Sequence, residues 1–370
     1  MLKIVHLDTG TALRGGQQQL LTLARGLRQR AHQQLIVCPE ASPLEAHALE
    51  ERFNVFALPA HDIGLVHGIV QLRQWLAINP SQVLHAHDGR GQTVAWLASL
   101  GMPVSRVASR RVTFLPAGMV SRHLKYGRAC HSIIAVSDFV RQLLVNSGVP
   151  AAKVETIPDG IEIPAELPSA ERRSRIRAQW GFGEQEFLVG HVGAFTWEKG
   201  QDIAIEATTR LRDKLPHARL LLVGEGPLQE SRGIRDKVDR AQGHVRLLGY
   251  CQNLSEFFAG LDLFVMPSRS EGLGSSALMA MAHGIPVVAT RVGGLPELVE
   301  DSKTGWLVRP ESPSTLADAV VTAASDRARL RRFGLDARKR ARQFSSAIMV
   351  ERTESVYHRL LANQNKIADL

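Results

Sequence analysis

Short, continuous apolar runs alternate with longer amphipathic stretches from one end of this chain to the other, and that rhythm limits the fold more than any other feature. In the first half the runs fall at 3–7, 34–38, 55–58, 83–87, 104–108, 132–136 and 154–157, with helical patterns such as 18–28 and 92–100 between them. A strand that is apolar on both alternating sets of positions must be covered on both faces, and helices packed on each side of a parallel sheet provide that cover. The expected class is therefore α/β, with doubly wound parallel sheets.

The rhythm breaks at 162–186, where Pro164, Pro168 and the polar run 169–177 read as an interdomain linker carrying a short helix. A second alternation follows, with strands at 187–192, 219–223, 245–248, 263–266, 286–289 and 306–308. Helical patterns at 314–324, 327–344 and 348–363 close the chain. Two Rossmann-like domains are expected, 1–163 and 187–345. In open α/β sheets ligands lie beyond the carboxyl ends of the strands, so two such edges facing one cleft would share a deep site.

Composition removes several function classes. Apolar residues make up 44% and charged residues 22%, which is enough to bury a core and excludes a disordered chain. Cys38, Cys130 and Cys251 lie far apart, which argues against a disulfide framework and a thiolate zinc site and fits a cytoplasmic setting. No apolar run approaches the ~20 residues of a membrane span. The opening residues read as a strand rather than a signal peptide, because a turn follows too few apolar positions.

The net charge of +9 favours anionic partners. Aromatic residues are only 5%, and no basic–aromatic stripe points to nucleic acid. Between Asp88 and Asp138 there is no acidic residue, while Arg90, Arg106, Arg110, Arg111, Arg122, Lys125 and Arg128 are basic. This stretch reads either as a solvated face or as a surface for an acidic acceptor or an anionic membrane.

Four places could carry chemistry. Gly15-Gly16 precedes a helix, where glycines admit an anion to backbone N–H groups; a plain turn explains the pair equally well. His85 and His87 share one side of a strand, with His87 at its carboxyl end, although a strand-end histidine is more often a structural hydrogen-bonder than a catalyst. No third ligand with suggestive spacing joins these histidines and Asp88 in a metal site. Lys199 stands at a helix entry, where a cation can meet a diphosphate. Glu271 is followed by Gly272, Leu273, Gly274, Ser275 and Ser276 at a helix start, offering a carboxylate and a row of N–H groups to sugar and phosphate oxygens. Neither the glycines near residue 15 nor Gly224-Glu225-Gly226 forms a dinucleotide fingerprint.

The text P-S-R-S-E-G-L-G-S-S-A-L-M-A-M-A-H-G-I-P-V-V-A-T at 267–290, with G-G-L-P-E-L-V at 293–299 and T-G-W-L-V at 304–308, strongly resembles the retaining glycosyltransferases of family 4, which have the GT-B fold. Weaker landmarks fall in order: Gly15-Gly16, His-x-His at 85–87, D-G-I at 159–161, E-K-G at 198–200, G-E-G-P at 224–227 and L-G-Y at 248–250. The resemblance implies sugar transfer from a nucleotide-sugar donor to a hydroxyl of a saccharide or lipid-linked acceptor, without a metal or other cofactor. It places the backbone of Gly15 and Gly16 at the donor diphosphate, His87 near the transferred sugar and Lys199 on the diphosphate. It places Glu271 on sugar hydroxyls, the backbone of residues 272–276 on the sugar and distal phosphate, and Tyr250-Cys251 beside the base. The closing helix would cross back onto the first domain, and envelope polysaccharide or lipopolysaccharide synthesis would be the setting. Two positions depart from the pattern: Met279 stands where the family has a ribose-binding glutamate, and Ala194 where it often has an arginine. A nucleotide-sugar 2-epimerase and a non-catalytic donor-binding protein share this fold and are the competing readings.

Overall fold

The computed structural model describes residues 1–59, 62–115 and 123–368, excepting the side chains of 62–64, 123 and 365–368. Two compact units divide the chain: Met1–Gly160 joined by the segment from Ser346 onward, and Ile161–Ser345.

The first unit holds a seven-stranded sheet of β1 (Lys3–Leu7), β2 (Gln33–Pro39), β3 (Asn54–Leu58), β4 (Val83–Ala86), β5 (Ser105–Arg110), β6 (Ser132–Ala135) and β7 (Val154–Thr156). All neighbours pair in parallel, in the order β3-β2-β1-β4-β5-β6-β7. One cluster, including Val5, Leu7, Val37, Leu84 and Val94, covers one region of the sheet. Another joins Ile4, Leu23, Val107 and Ile134 to Met349, Val350, Val356 and Tyr357 of the closing helix Ser346–Ala368. That helix packs tightly on Gly15–Gln29: a side chain at Gly26 would meet Val350 Cγ2 at 2.4 Å. The sequence pattern at 348–363 marks this helix but underestimates its length by two residues at one end and five at the other.

The second unit holds β8 (Phe187–Val192), β9 (Ala218–Val223), β10 (Val245–Gly249), β11 (Leu263–Met266), β12 (Val287–Thr290) and β13 (Gly305–Val308), all parallel, in the order β10-β9-β8-β11-β12-β13. Its core runs through Phe187, Phe195, Leu220, Leu222, Leu263, Val265 and Val288 to Leu316, Val320 and Phe333. In both sheets the chain fills one direction from a central strand and then returns to fill the other. The reversal falls between β1 and β4 in the first sheet and between β8 and β11 in the second, where the loops splay apart and leave room for a ligand.

The stretch at 162–186 differs from the linker expected of it. Its helix Ala170–Gln179 is packed into the second unit through Asp262, which is buried at the foot of β11. The Asp262 carboxylate accepts from Arg173 Nη2 (2.7 Å), Arg177 Nη2 (2.5 Å), Arg327 Nη1 (2.7 Å) and the Leu188 amide (2.8 Å). The polar run is rich in arginine because it supplies the counter-charges. No helix among the described residues is long and apolar enough to cross a membrane.

Removing one member of a buried ion network strands the others. Asp262→Ala should therefore destabilise the second unit by about 3 kcal/mol. Arg327→Ala, whose side chain is half exposed, should cost below about 1 kcal/mol. Urea unfolding of the two variants checks the order, and equal midpoints would contradict it.

Candidate functional site

Both reversal points carry polar side chains. In the second unit the loops after β8 and β11 bring Lys199 to Glu271: Nζ donates to Oε2 at 2.7 Å. The two side chains are 27% and 11% exposed, so each is partly desolvated while one edge stays open. Ser268 Oγ donates to the same oxygen at 3.3 Å.

The surrounding chain holds this pair in place. Arg269 donates twice to Asp202 (2.8 and 2.9 Å) and once each to Glu311 (3.1 Å) and the Trp197 carbonyl (2.9 Å). The Arg269 amide meets the Glu198 carbonyl at 2.7 Å, so one residue ties the lysine loop to the glutamate loop. Gly200 has φ +69°, and a Cβ there would lie 2.2 Å from the Pro267 carbonyl oxygen. Gly293 has φ +55°, and a Cβ there would lie 1.7 Å from the Glu271 carbonyl oxygen. Only glycine tolerates such approaches together with a left-handed backbone.

Directly after Glu271 the chain enters the helix Ser275–Ala282 through Gly274, with no side-chain cap. The first-turn N–H groups are thus left for water or an anion. Ser275, Ser276 and Met279 occupy the half-exposed face of this helix, while Ala277 and Leu278 are buried. Gly272, Leu273 and Gly274 are buried, so Leu273 offers backbone and not side chain to a ligand. Met279, half-buried in this helix, stands at the position where the resemblance expects a carboxylate. Ala194 lies in the loop after β8, its carbonyl accepting from Gln201 Nε2 at 2.8 Å. Tyr250, 62% exposed, and half-buried Cys251 follow β10 at the same carboxyl edge.

In the first unit, Gly15 and Gly16 open the helix Gly15–Gln29 itself. A Cβ at Gly16 would stand in open space, so packing within the chain does not account for the glycine. At the end of β1, Asp8 is buried; its Oδ1 accepts from the Gly10 amide (2.8 Å) and Gln17 Nε2 (2.7 Å), while Oδ2 has no partner. Burial, then the nearby Asp88 charge, push its carboxyl above the usual range.

β4 closes at Ala86, one residue before His87, although the His87 amide still donates to the Leu7 carbonyl at 2.8 Å. Asp88 is the cap of the helix Gly89–Ala98. Its carboxylate accepts from the Arg90 and Gly91 amides (3.1 and 3.0 Å) and from the amide and hydroxyl of Thr9 (3.1 and 2.6 Å). The third partner of the histidine pair is His6 from β1, beside His85 in register.

Two of these imidazoles, His6 and His87, form an ordered hydrogen-bonded chain. Gln34 Nε2 donates to the Ala24 carbonyl (2.9 Å), which fixes Oε1 toward His6. Oε1 can only accept, so His6 Nε2 carries the proton (3.0 Å). A neutral His6 then presents a bare Nδ1, and His87 Nε2 donates to it at 3.1 Å. His87 Nδ1 is left as a buried lone pair without a partner. His85 bonds two hydroxyls, Tyr357 (2.6 Å) and Ser109 (2.8 Å), and stacks on His87 with centroids 4.2 Å apart. One ring nitrogen from each of the three lies within 4.8 Å of the other two, close enough for metal ligands. Stacking, however, directs the in-plane lone pairs of His85 and His87 alongside one another instead of at a common centre.

The four basic residues expected on a surface are not equivalent. Arg111 Nε donates to Asp159 at 2.8 Å and Nη1 reaches the His87 carbonyl at 3.5 Å, so its charge is taken up inside the unit. Arg110 is buried, at 8% exposure, which corrects its reading as a surface residue: it lies beneath Phe114, whose ring centroid is 5.1 Å from its Cζ. Lys125 is half buried. Arg122 lies outside the described residues.

Residues 13–163 match the family described as Glycosyltransferase Family 4, and residues 186–326 match Glycosyl transferases group 1. The chain is 32% identical over 245 residues to the GDP-mannose-dependent alpha-(1-6)-phosphatidylinositol monomannoside mannosyltransferase of Mycolicibacterium smegmatis, covering 64% of this chain and 58% of the relative. The chain thus spans less than two thirds of the length of that relative. It is 27% identical to the D-inositol 3-phosphate glycosyltransferase of Streptomyces avermitilis, covering 86% of this chain and 72% of the relative. Anabaena HepE, crystallised with UDP and glucose, shares the fold with a TM-score of 0.86 at 22% identity, over 96% of this chain and 99% of that one.

Burial holds the His6 pKa down to about 4 and those of His85 and His87 well below the ordinary 6.5. Below pH 6.5 the unfolded chain binds protons that the folded chain refuses. Stability should fall with pH by about 1.4 kcal/mol per unit for each such histidine. Nitrogen-correlated NMR of the imidazoles should show His87 neutral with its proton on Nε2 from pH 8 to 5.5. A titration midpoint near 6.5, or a proton on Nδ1, would contradict the chain.

Proposed function

The chain belongs to glycosyltransferase family 4, and from that premise we propose that it moves a sugar from a nucleotide-sugar donor to a hydroxyl of a saccharide or lipid-linked acceptor. The observation that carries this reading is the partly open Lys199–Glu271 pair, 2.7 Å apart beside the uncapped helix start at Ser275. A cation, a carboxylate and the N–H groups of a helix start without a side-chain cap, at one sheet edge, match the three demands of a glycosyl diphosphate. Phosphate oxygens need positive charge, sugar hydroxyls need an acceptor, and the terminal phosphate needs donors.

In this reading Lys199 leaves Glu271 for the diphosphate, and Glu271 takes sugar hydroxyls in its place. The N–H groups of residues 272–276 hold the sugar and distal phosphate, while the backbone at Tyr250-Cys251 borders the base. The first unit takes the acceptor. The bond from the anomeric carbon to the diphosphate oxygen breaks. A bond to the acceptor oxygen forms on the same face, and the acceptor proton passes to the departing phosphate. Configuration is retained, and fixed charge with backbone dipoles stabilises the leaving group in place of a metal ion. Ala194 and Met279 remove a second phosphate cation and a ribose carboxylate, so donor affinity rests more heavily on Lys199. We assign the reaction to the cytoplasmic side of an envelope-building process, with acceptor or anionic headgroups drawn to the basic first unit.

Lys199→Ala should lower kcat about 100- to 1000-fold, the usual loss on removing one transition-state donor, without altering the fold. Transfer assayed with a panel of nucleotide sugars checks this, with circular dichroism as the folding control. Undiminished turnover by the variant would overturn the assignment.

A further inference from the structure

An ionised guanidinium taken out of water is costly unless a counter-charge or hydrogen-bond acceptors replace the lost hydration, and arginine cannot escape by losing its proton. Among the described residues the other buried arginine, Arg177, obeys that rule: it donates to the Asp262 carboxylate and to the carbonyls of Gly260 and Glu186. Arg110 does not. Its Nε and Nη2 are buried and have no partner. Beside it, the Tyr126 hydroxyl is equally buried and also lacks one. Lys125 feels the Arg110 charge, and among the described residues no carboxylate lies within ion-pair reach of either cation. The nearest acidic influence on Lys125 is Asp88, whose oxygens already accept four bonds from Thr9, Arg90 and Gly91. Lys125 Nζ itself lies against Gly89, where a Cβ would meet it at 3.0 Å, at the positive start of the helix Gly89–Ala98. Two cations and a hydroxyl are thus gathered with Asp88 as the one nearby carboxylate, and its oxygens are already engaged.

We propose that Arg110, Lys125 and Tyr126 form an oxyanion pocket in the first unit that receives a phosphate group carried by the acceptor. A phosphate presents several acceptor oxygens, which suits the planar fork of Arg110, the point charge of Lys125 and the hydroxyl donor of Tyr126. Arg111 is excluded from the pocket because Asp159 already neutralises it. The pocket as an anion site stands on its own geometry; that the phosphate belongs to an acceptor rests on the transferase reading.

Two classes of molecule carry such a group, a soluble sugar phosphate and a phospholipid, and the test separates them. Inorganic phosphate is titrated into the full-length Lys199→Ala protein, whose donor half-site lacks its cation, at constant ionic strength kept with chloride. Phosphate should raise Tm saturably by a few degrees. In that background Arg110→Gln and Lys125→Gln should each weaken phosphate at least tenfold, and Tyr126→Phe about threefold. Arg110→Met removes an unpaired buried charge, so it should melt higher than its parent in phosphate-free buffer and show no phosphate response. Sedimentation with phosphatidylglycerol vesicles, but not phosphatidylcholine vesicles, that is lost in Arg110→Gln would identify a lipid phosphate. Phosphate binding without vesicle retention would identify a soluble one. No saturable phosphate response, or one that survives in both Arg110 variants, overturns the pocket. If transfer fails while phosphate still binds through Arg110, the transferase reading falls and the pocket stands.

Discussion

The contact on which the second unit turns is an ammonium 2.7 Å from a carboxylate, at the point where its parallel sheet reverses direction. Neither group could hold that position alone. The lysine loop leaves β8 and the glutamate loop leaves β11, and they meet because those strands are neighbours while their successors run apart. Arg269 then locks the loops together, and Gly200 and Gly293 permit backbone approaches that any side chain would block. The sheet does not merely support the pair; its strand order creates the pair.

A corresponding reversal in the first unit places different chemistry at its edge. There a carbonyl, an amide and two imidazoles impose one direction of proton donation, ending at a bare nitrogen of His87. Beside this neutral chain stands Asp8 with a free oxygen, and along the same chain segment lie cations of unequal standing. Arg111 is satisfied by Asp159, whereas Arg110 is buried and unsatisfied. Stability would be better served by an apolar residue at 110, so a charge retained there fits a binding role more than a packing one.

Much of this was legible in the sequence, for identifiable reasons. Strands apolar on both faces announce a covered parallel sheet, so the thirteen strands could be located to within a residue or two. Lys199 and the 271–276 turn could be singled out because a cation and a glycine-serine helix start are local patterns. Contacts between distant segments were not legible. His6 is a polar residue in a largely apolar strand, and only the β1–β4 register reveals that it lies beside His85. The arginines at 173 and 177 look like a solvated linker until Asp262, far along the chain, is brought to them. Burial is equally invisible in a run of like charges, which is why Arg110 and Arg111 looked alike.

The central claim is that Lys199, Glu271 and the N–H groups after them form one diphosphate-sugar site. Backbone amide NMR of the full chain, titrated with UDP and with GDP, tests it most directly. The account predicts saturable shifts at residues 272–276 and at Lys199 with at least one nucleotide, and loss of those shifts in Lys199→Ala. Saturable binding that leaves residues 199 and 271–276 unmoved would contradict it.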